Sequence, residues 1–206
     1  MKELTISISI RDLQILKDSG YNLCLAVRPA DTSFDVIWQA TSSYGPVNYI
    51  KIDETFQLFC SNQFIPGKEV RNTTDKVAIS RGQRCTLNKY LLLEASSDAG
   101  RSGYLSLKND YGSIYVGYCM GGVNFEGVEV MNPAYLTSNL CVPGICELNP
   151  LLEVMIWFEQ NAIEGETMEP RVGLNMTASR SRAVTVDMAN YDKASVIYQD
   201  GSWRRE

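Results

Sequence analysis

The stretch FDVIWQATSSYGPVNYIKIDETFQLFCSNQF, residues 34–64, carries two extended patterns on either side of one turn. Phe34, Val36, Trp38 and Ala40 share one face of a strand, while Asp35, Gln39 and Thr41 fall mostly on the other. Tyr44, Gly45 and Pro46 break the run, and Ile50 and Ile52 restart the period of two opposite Tyr49, Lys51 and Asp53. This pattern predicts a hairpin whose two arms pair. The parity falters at Asp53 and Glu54 before Phe56, Leu58 and Cys60 resume it, as a bulge requires.

Outward from this stretch the chain reads as short strands separated by turns. Ile6, Ile8 and Ile10 alternate with Ser7 and Ser9. Leu13, Ile15 and Leu16, led by Asp12 as N-cap and closed by Gly20, suit a short helix. Leu23, Leu25 and Val27 form the next strand face, stopped by Pro29. Further strands are expected over residues 77–80, 91–95, 104–108 and 113–120, the last two as a hairpin-like pair around a turn at 109–112. The glycines and prolines of residues 121–150 predict a long loop excursion. Leu152, Val154, Ile156 and Phe158 mark a central strand beginning at Leu151, a polar loop follows over 161–180, and residues 183–188 and 194–199 are strands, the latter turning through Asp200-Gly201 into Ser202 and Trp203. The expected fold is all-β: a single-domain antiparallel β-sandwich over residues 1–206, with one short helix and long loops.

The composition excludes several functions. The chain has 206 residues, 45% of them hydrophobic and 21% charged, which suits a packed globular core. A net charge of -5 opposes nucleic-acid binding and simple adhesion to anionic membranes. The basic pairs Arg180 with Arg182 and Arg204 with Arg205 read as solvated charge. The N-terminal segment alternates and lacks an apolar signal region, and no apolar run reaches membrane-spanning length, so a cytoplasmic chain is expected. In that setting the six cysteines are expected as thiols, and the sequons at Asn72 and Asn175 carry no glycan. Cys141 and Cys146, joined through a Pro-Gly turn, form the tightest pair and suit either a conditional disulfide or inert thiols.

There is no histidine, which removes Ser-His-Asp, Cys-His and His-ligated metal chemistry. No cofactor and no metal site is expected. Glu153 and Glu159 flank Met155 and Trp157 on one strand, but six extended residues hold them roughly 20 Å apart, beyond the roughly 5 to 9.5 Å of a glycosidase pair. Gly117, Gly121 and Gly122 are followed by no helix pattern and so make no phosphate cradle. Tyrosines offer an apolar face with a polar tip, so Tyr44, Tyr111, Tyr115 and Tyr118, with Trp157, are the candidate ligand-binding residues.

The stretches IWQATSSYGPVNYIKIDETFQLFCSNQF and VMIWFEQ…ETM…SRAVTVDM resemble small β-rich proteins without secretion signals found mainly in filamentous fungi, over about two thirds of the chain. The resemblance implies a fungal cytosolic protein and supplies no catalytic residue. The general plan also resembles actinoporin-like fungal lectins in architecture alone. Two functions are therefore expected in order. The first is a non-enzymatic, lectin-like or lipid- or small-molecule-binding sandwich, its partner a small molecule, carbohydrate or lipid headgroup, with room for a homo-oligomer. The second is a cofactor-independent cyclase or isomerase of fungal secondary metabolism using Glu159, Glu153 and Tyr115.

Overall fold

The computed structural model describes residues 1–28, 33, 35–150, 152–168 and 181–205; Pro29, Phe34, Leu151, Asn175 and Arg180 lie outside them. Among the described residues, fifteen strands and one helix follow in the order β1 (Lys2–Ile8), α1 (Ile10–Asp18), β2 (Tyr21–Arg28), β3 (Ile37–Thr41), β4 (Val47–Ser61), β5 (Val77–Ile79), β6 (Gln83–Leu87) and β7 (Leu93–Ala99). They continue as β8 (Leu105–Asn109), β9 (Tyr115–Val123), β10 (Glu129–Leu136), β11 (Gly144–Leu148), β12 (Glu153–Gln160), β13 (Val184–Asp187), β14 (Lys193–Gln199) and β15 (Ser202–Arg205). The fold is all-β and sandwich-like, as its alternating sequence predicts.

The strands form three sheets. One has the order β10-β9-β4-β1-β14-β15 with β5 attached to β4, a second β11-β8-β6-β7, and a third β13-β12-β2-β3. Most neighbours are antiparallel, but β1 runs parallel to β14 and β6 parallel to β8. The apolar faces read from sequence converge on one continuous core: Leu4 and Ile6 of β1, Leu23 and Leu25 of β2, Ile50, Ile52, Phe56 and Leu58 of β4, Leu105 of β8, and Val154, Ile156 and Phe158 of β12. Two smaller clusters cover outer faces. Cys24, Ala26, Met155, Trp157 and Met168 pack on one side of the third sheet, and Val36, Phe59, Cys119 and Leu136 on the far side of the first.

The helix forms where its period of 3.6 replaces the strand period, but its cap is Ser9 rather than Asp12. The Ser9 side chain accepts from Asp12 N–H at 3.1 Å and its hydroxyl donates to the Asp12 carboxylate at 2.6 Å, a reciprocal capping arrangement. Asp12 also accepts from Asp200 N–H at 2.8 Å, tying the helix start to the β14–β15 turn. Gly20, at φ +68°, ends the helix in the left-handed region expected of it.

Three further expectations, all about strands, are corrected. The arms of the 34–64 stretch do not pair: β3 pairs with β2, whereas β4 pairs with β1, β9 and β5. A period of two determines faces and not partners, and the turn at residues 42–46 carries the chain from one sheet to another. The falter at Asp53 and Glu54 is present as a register shift in the β4–β9 ladder between Ile52 and Phe56. Likewise β8 and β9 are not a hairpin, since β8 pairs with β6 and β11 while β9 pairs with β4 and β10.

The supposed loop over 121–150 contains the end of β9 and all of β10 and β11. The pattern there is obscured because Gly121 and Gly122 present no side chains, Pro133 sits at a register shift opposite β9, and neither β10 nor β11 alternates cleanly between buried and exposed residues. Position 122 of β9 requires glycine for steric reasons. A Cβ there would stand 2.6 Å from the Lys51 carbonyl oxygen and 2.9 Å from the Trp38 ring. Gly122→Ala is expected to destabilise the fold by about 1–3 kcal/mol through overpacking. Gly112→Ala, where a Cβ meets nothing within 4 Å, should stay within about 0.5 kcal/mol. Urea unfolding of both variants checks the contrast.

Candidate functional site

The proposed aromatic and acidic residues do not form one site. Tyr44, Tyr118 and Trp157 are buried, at 2%, 1% and 0% exposure. The Tyr44 hydroxyl donates to Tyr21 O at 2.8 Å, and its ring lies 5.7 Å from that of Phe158. Tyr118 packs between Phe56 at 5.6 Å and Tyr135 at 5.8 Å. Trp157 donates its indole N–H to Glu159 at 2.8 Å, and Glu153 pairs with Arg28, its direct neighbour across the β2–β12 ladder. The two glutamates thus occupy opposite ends of β12, as the extended spacing requires. Tyr111 is exposed, and Tyr115 is half-buried with its ring 6.0 Å from that of Phe64.

Alternation placed these rings on strands but could not say which face met another layer. Burial raises the Tyr44 phenol to about 12 and lifts Tyr118 further in the same direction, with no ligand involved. A phenol whose folded pKa lies above its unfolded value keeps its full contribution below pH 10 and loses it as pH rises toward the folded value. Alkaline unfolding between about pH 10 and 12 is therefore expected, with Tyr44 and Tyr118 ionising only as the fold is lost; ultraviolet titration against circular dichroism checks the coincidence.

A different group of residues encloses open space. After β4, Pro66 and Gly67 form a turn closed by Lys68 N–H donating to Ile65 O at 3.2 Å, with Gly67 at φ +68° where a type II turn requires glycine. Thr167 staples this turn: its hydroxyl donates to Ile65 O at 2.5 Å and its N–H to Lys68 O at 2.8 Å. Its carbonyl accepts from Gly67 N–H at 2.9 Å, and Gly165 O accepts from Val70 N–H at 2.8 Å. The Ser61 hydroxyl donates to Arg71 O at 2.6 Å and closes the loop base.

The held loop makes one wall of a cleft of about 430 Å³ lined by Gln63, Ile65, Lys68, Glu69, Val70, Arg71, Leu136 and Thr167. Leu136 and Val70 belong to the small outer cluster on which Phe64, Tyr115 and Met131 also pack, so the cleft has an apolar lining there, and Tyr115 belongs to that cluster without lining the cleft. Ile65, Lys68, Glu69 and Arg71 stand exposed at the rim. The lining carries two cations, Lys68 and Arg71, and the Glu69 carboxylate, with the Glu166 carboxylate close to Gly67 of the same loop. By contrast, the clefts of about 250 Å³ and about 310 Å³ carry Glu126 and Glu164, and Asp53 and Glu129, respectively. Among the described residues no group of three or more Cys, Asp or Glu is arranged to hold a metal ion, and no helix is long and apolar enough to cross a membrane.

The cleft was not legible in sequence, where Pro66-Gly67 signalled a turn and nothing more. Thr167, its organising residue, lies about a hundred positions away from its partners. Asp35, on the face opposite Val36 in the alternation, precedes β3. It is buried, accepts from Ser33, and desolvation raises its carboxyl above the usual range. Comparison of the chain with protein-family models, curated proteins and solved structures finds no match.

Truncating the staple isolates its contribution. Thr167→Val keeps the shape but removes a buried hydroxyl that donates to Ile65 O and accepts from Lys68 N–H. It should cost about 1–3 kcal/mol and raise hydrogen exchange across residues 65–70 ahead of the sheets.

Proposed function

We propose that this chain is a non-enzymatic binding protein of the cytoplasm, taking a small amphipathic ligand with an anionic group, such as an acidic carbohydrate, a lipid headgroup or a small acidic metabolite. The observation that carries the reading is the cleft of about 430 Å³, lined by the apolar Ile65, Val70 and Leu136 together with the cations of Lys68 and Arg71. Its volume is in the range of small-molecule sites, and its exposed rim gives access without a closing lid. The absence of histidine is consistent with recognition by shape, hydrogen bonding and charge. The resemblance in general plan to actinoporin-like fungal lectins supports this role, and the reading leaves room for a homo-oligomer.

The second reading, a cofactor-independent cyclase or isomerase, is favoured by one observation, the buried Asp35 with its raised carboxyl pKa. Asp35 is not among the residues lining the cleft, and Glu153 and Glu159 are engaged with Arg28 and Trp157. Binding therefore stands ahead.

Purified protein is incubated with source-cell extract, and retained and released small molecules are analysed by mass spectrometry. An anionic compound retained unchanged, and lost about 10-fold or more in the Lys68→Ala/Arg71→Ala variant, is the expected result, corresponding to about 1.4 kcal/mol. Tyr111→Ala, at an exposed ring that does not line the cleft, should leave retention unchanged. Consumption of a compound with appearance of a new product would replace the binding reading by the enzymatic one.

A further inference from the structure

We propose that Cys141 and Cys146 are a redox modification site: a dithiol that low-molecular-weight disulfides of the glutathione type convert to an intramolecular disulfide, with Cys141 attacking and Cys146 resolving. The two sulfurs lie 2.8 Å apart, so no backbone rearrangement is needed to bring them together. Their approach is built into the fold. Cys141 is fixed by paired backbone bonds with Ile114, its N–H donating to Ile114 O at 2.7 Å and its carbonyl accepting from Ile114 N–H at 3.0 Å. Asn109 adds a donor to the same carbonyl at 3.1 Å. Cys146 is held opposite Leu107 in the β8–β11 ladder. Between them Pro143 and Gly144 reverse the chain, with Gly144 at φ +136°, a value that disfavours a side chain.

The remaining cysteines provide the contrast. Cys24, Cys60, Cys85 and Cys119 are buried, and burial raises the thiols of Cys60 to about 12 and Cys85 to about 11. Cys141 and Cys146 are only half-buried and flanked by the exposed Val142 and Ile145. Hydrogen bonds from Cys146 and Thr137 favour the Cys141 thiolate, whereas Cys146 is pushed the other way. The Thr137 hydrogen bond, made to Cys141 alone, assigns the order of attack.

The exchange balances without any group from the protein beyond the two thiols. The Cys141 thiolate attacks one sulfur of the small disulfide, forming a mixed disulfide and releasing one thiolate. Cys146 then loses its proton to solvent and attacks the Cys141 sulfur, releasing the second thiolate. The protein loses two electrons and two protons, and the small disulfide becomes two thiols. Because Cys141 is bridged to Ile114 at the head of β9 and Cys146 lies on β11, the bond would staple the edge of the four-stranded β11-β8-β6-β7 sheet to the first sheet.

The test incubates native, reduced protein with oxidised glutathione, quenches with acid, alkylates under denaturing conditions and maps the products by mass spectrometry. Wild type should lose the mass of two hydrogens, with the bond mapped to residues 141 and 146 and the other four cysteines alkylated. Cys146→Ser should trap a glutathione adduct on Cys141, at least ~10-fold more than forms on Cys146 in Cys141→Ser. Circular dichroism establishes that each variant is folded. Should either serine variant not fold, substoichiometric iodoacetamide on native wild type should label Cys141 first. A stable glutathione adduct without an internal bond, a bond mapped elsewhere, equal adducts in the two variants, or first labelling of Cys146 or a core cysteine would each overturn the proposal.

Discussion

The ladder along β4 is the constraint on which the rest of the structure depends. This strand runs fifteen residues, Val47–Ser61, and is long enough to meet β1 near one end and β5 near the other, with β9 along most of its length. Its even residues Ile50, Ile52, Phe56 and Leu58 enter the common core, while Phe59 faces the outer cluster with Leu136. The register shift between Ile52 and Phe56 re-aims the second half of the strand without breaking it. Because β1 then pairs with β14, the N-terminal, central and C-terminal segments are joined in a single sheet.

Tight cross-layer contacts then hold the sheets in place. Trp38 sits on β3 of the third sheet yet donates its indole N–H to Met120 O on β9 at 3.2 Å. Its ring occupies the space that a side chain at Gly122 would need. Gln39, opposite Leu25, is fully buried with neither amide atom hydrogen-bonded, a desolvated polar group inside an otherwise apolar layer. The aromatic side chains that suggested recognition surfaces largely do structural work instead: Phe158 contacts Tyr44, Tyr198 and Trp203 at centroid distances of 5.7, 4.9 and 5.3 Å.

The two chemically distinctive places lie where the sheets give way to held loops. In one, Thr167 and Ser61 fix the 61–71 loop by hydrogen bonds to its backbone, so its charged side chains share a cleft with apolar Val70 and Leu136. In the other, the Ile114–Cys141 bridge and the β8–β11 ladder position two sulfurs at contact. Both combine local turn chemistry with an anchor remote in sequence, the first far more so than the second. That difference governs how much each revealed itself before the fold was known.

From the amino-acid order alone follow the all-β class, the apolar faces of β1, β2, β4, β12 and β14, the single helix, the β14–β15 turn and the falter within β4. All of these rest on interactions between residues near in sequence, which periodicity and turn chemistry report directly. The close pairing of Cys141 with Cys146 was also legible as a possibility, because only a Pro-Gly turn separates them. Strand partners, the burial of Tyr44, Tyr118 and Trp157, the strands within 121–150, and the cleft assembled around Thr167 were decided only by tertiary structure. The physical reason is that alternation says which residues share a face but carries no information about what that face meets. Layer stacking and long-range hydrogen bonds determine whether a tyrosine becomes core or surface, and whether a turn becomes the wall of a site.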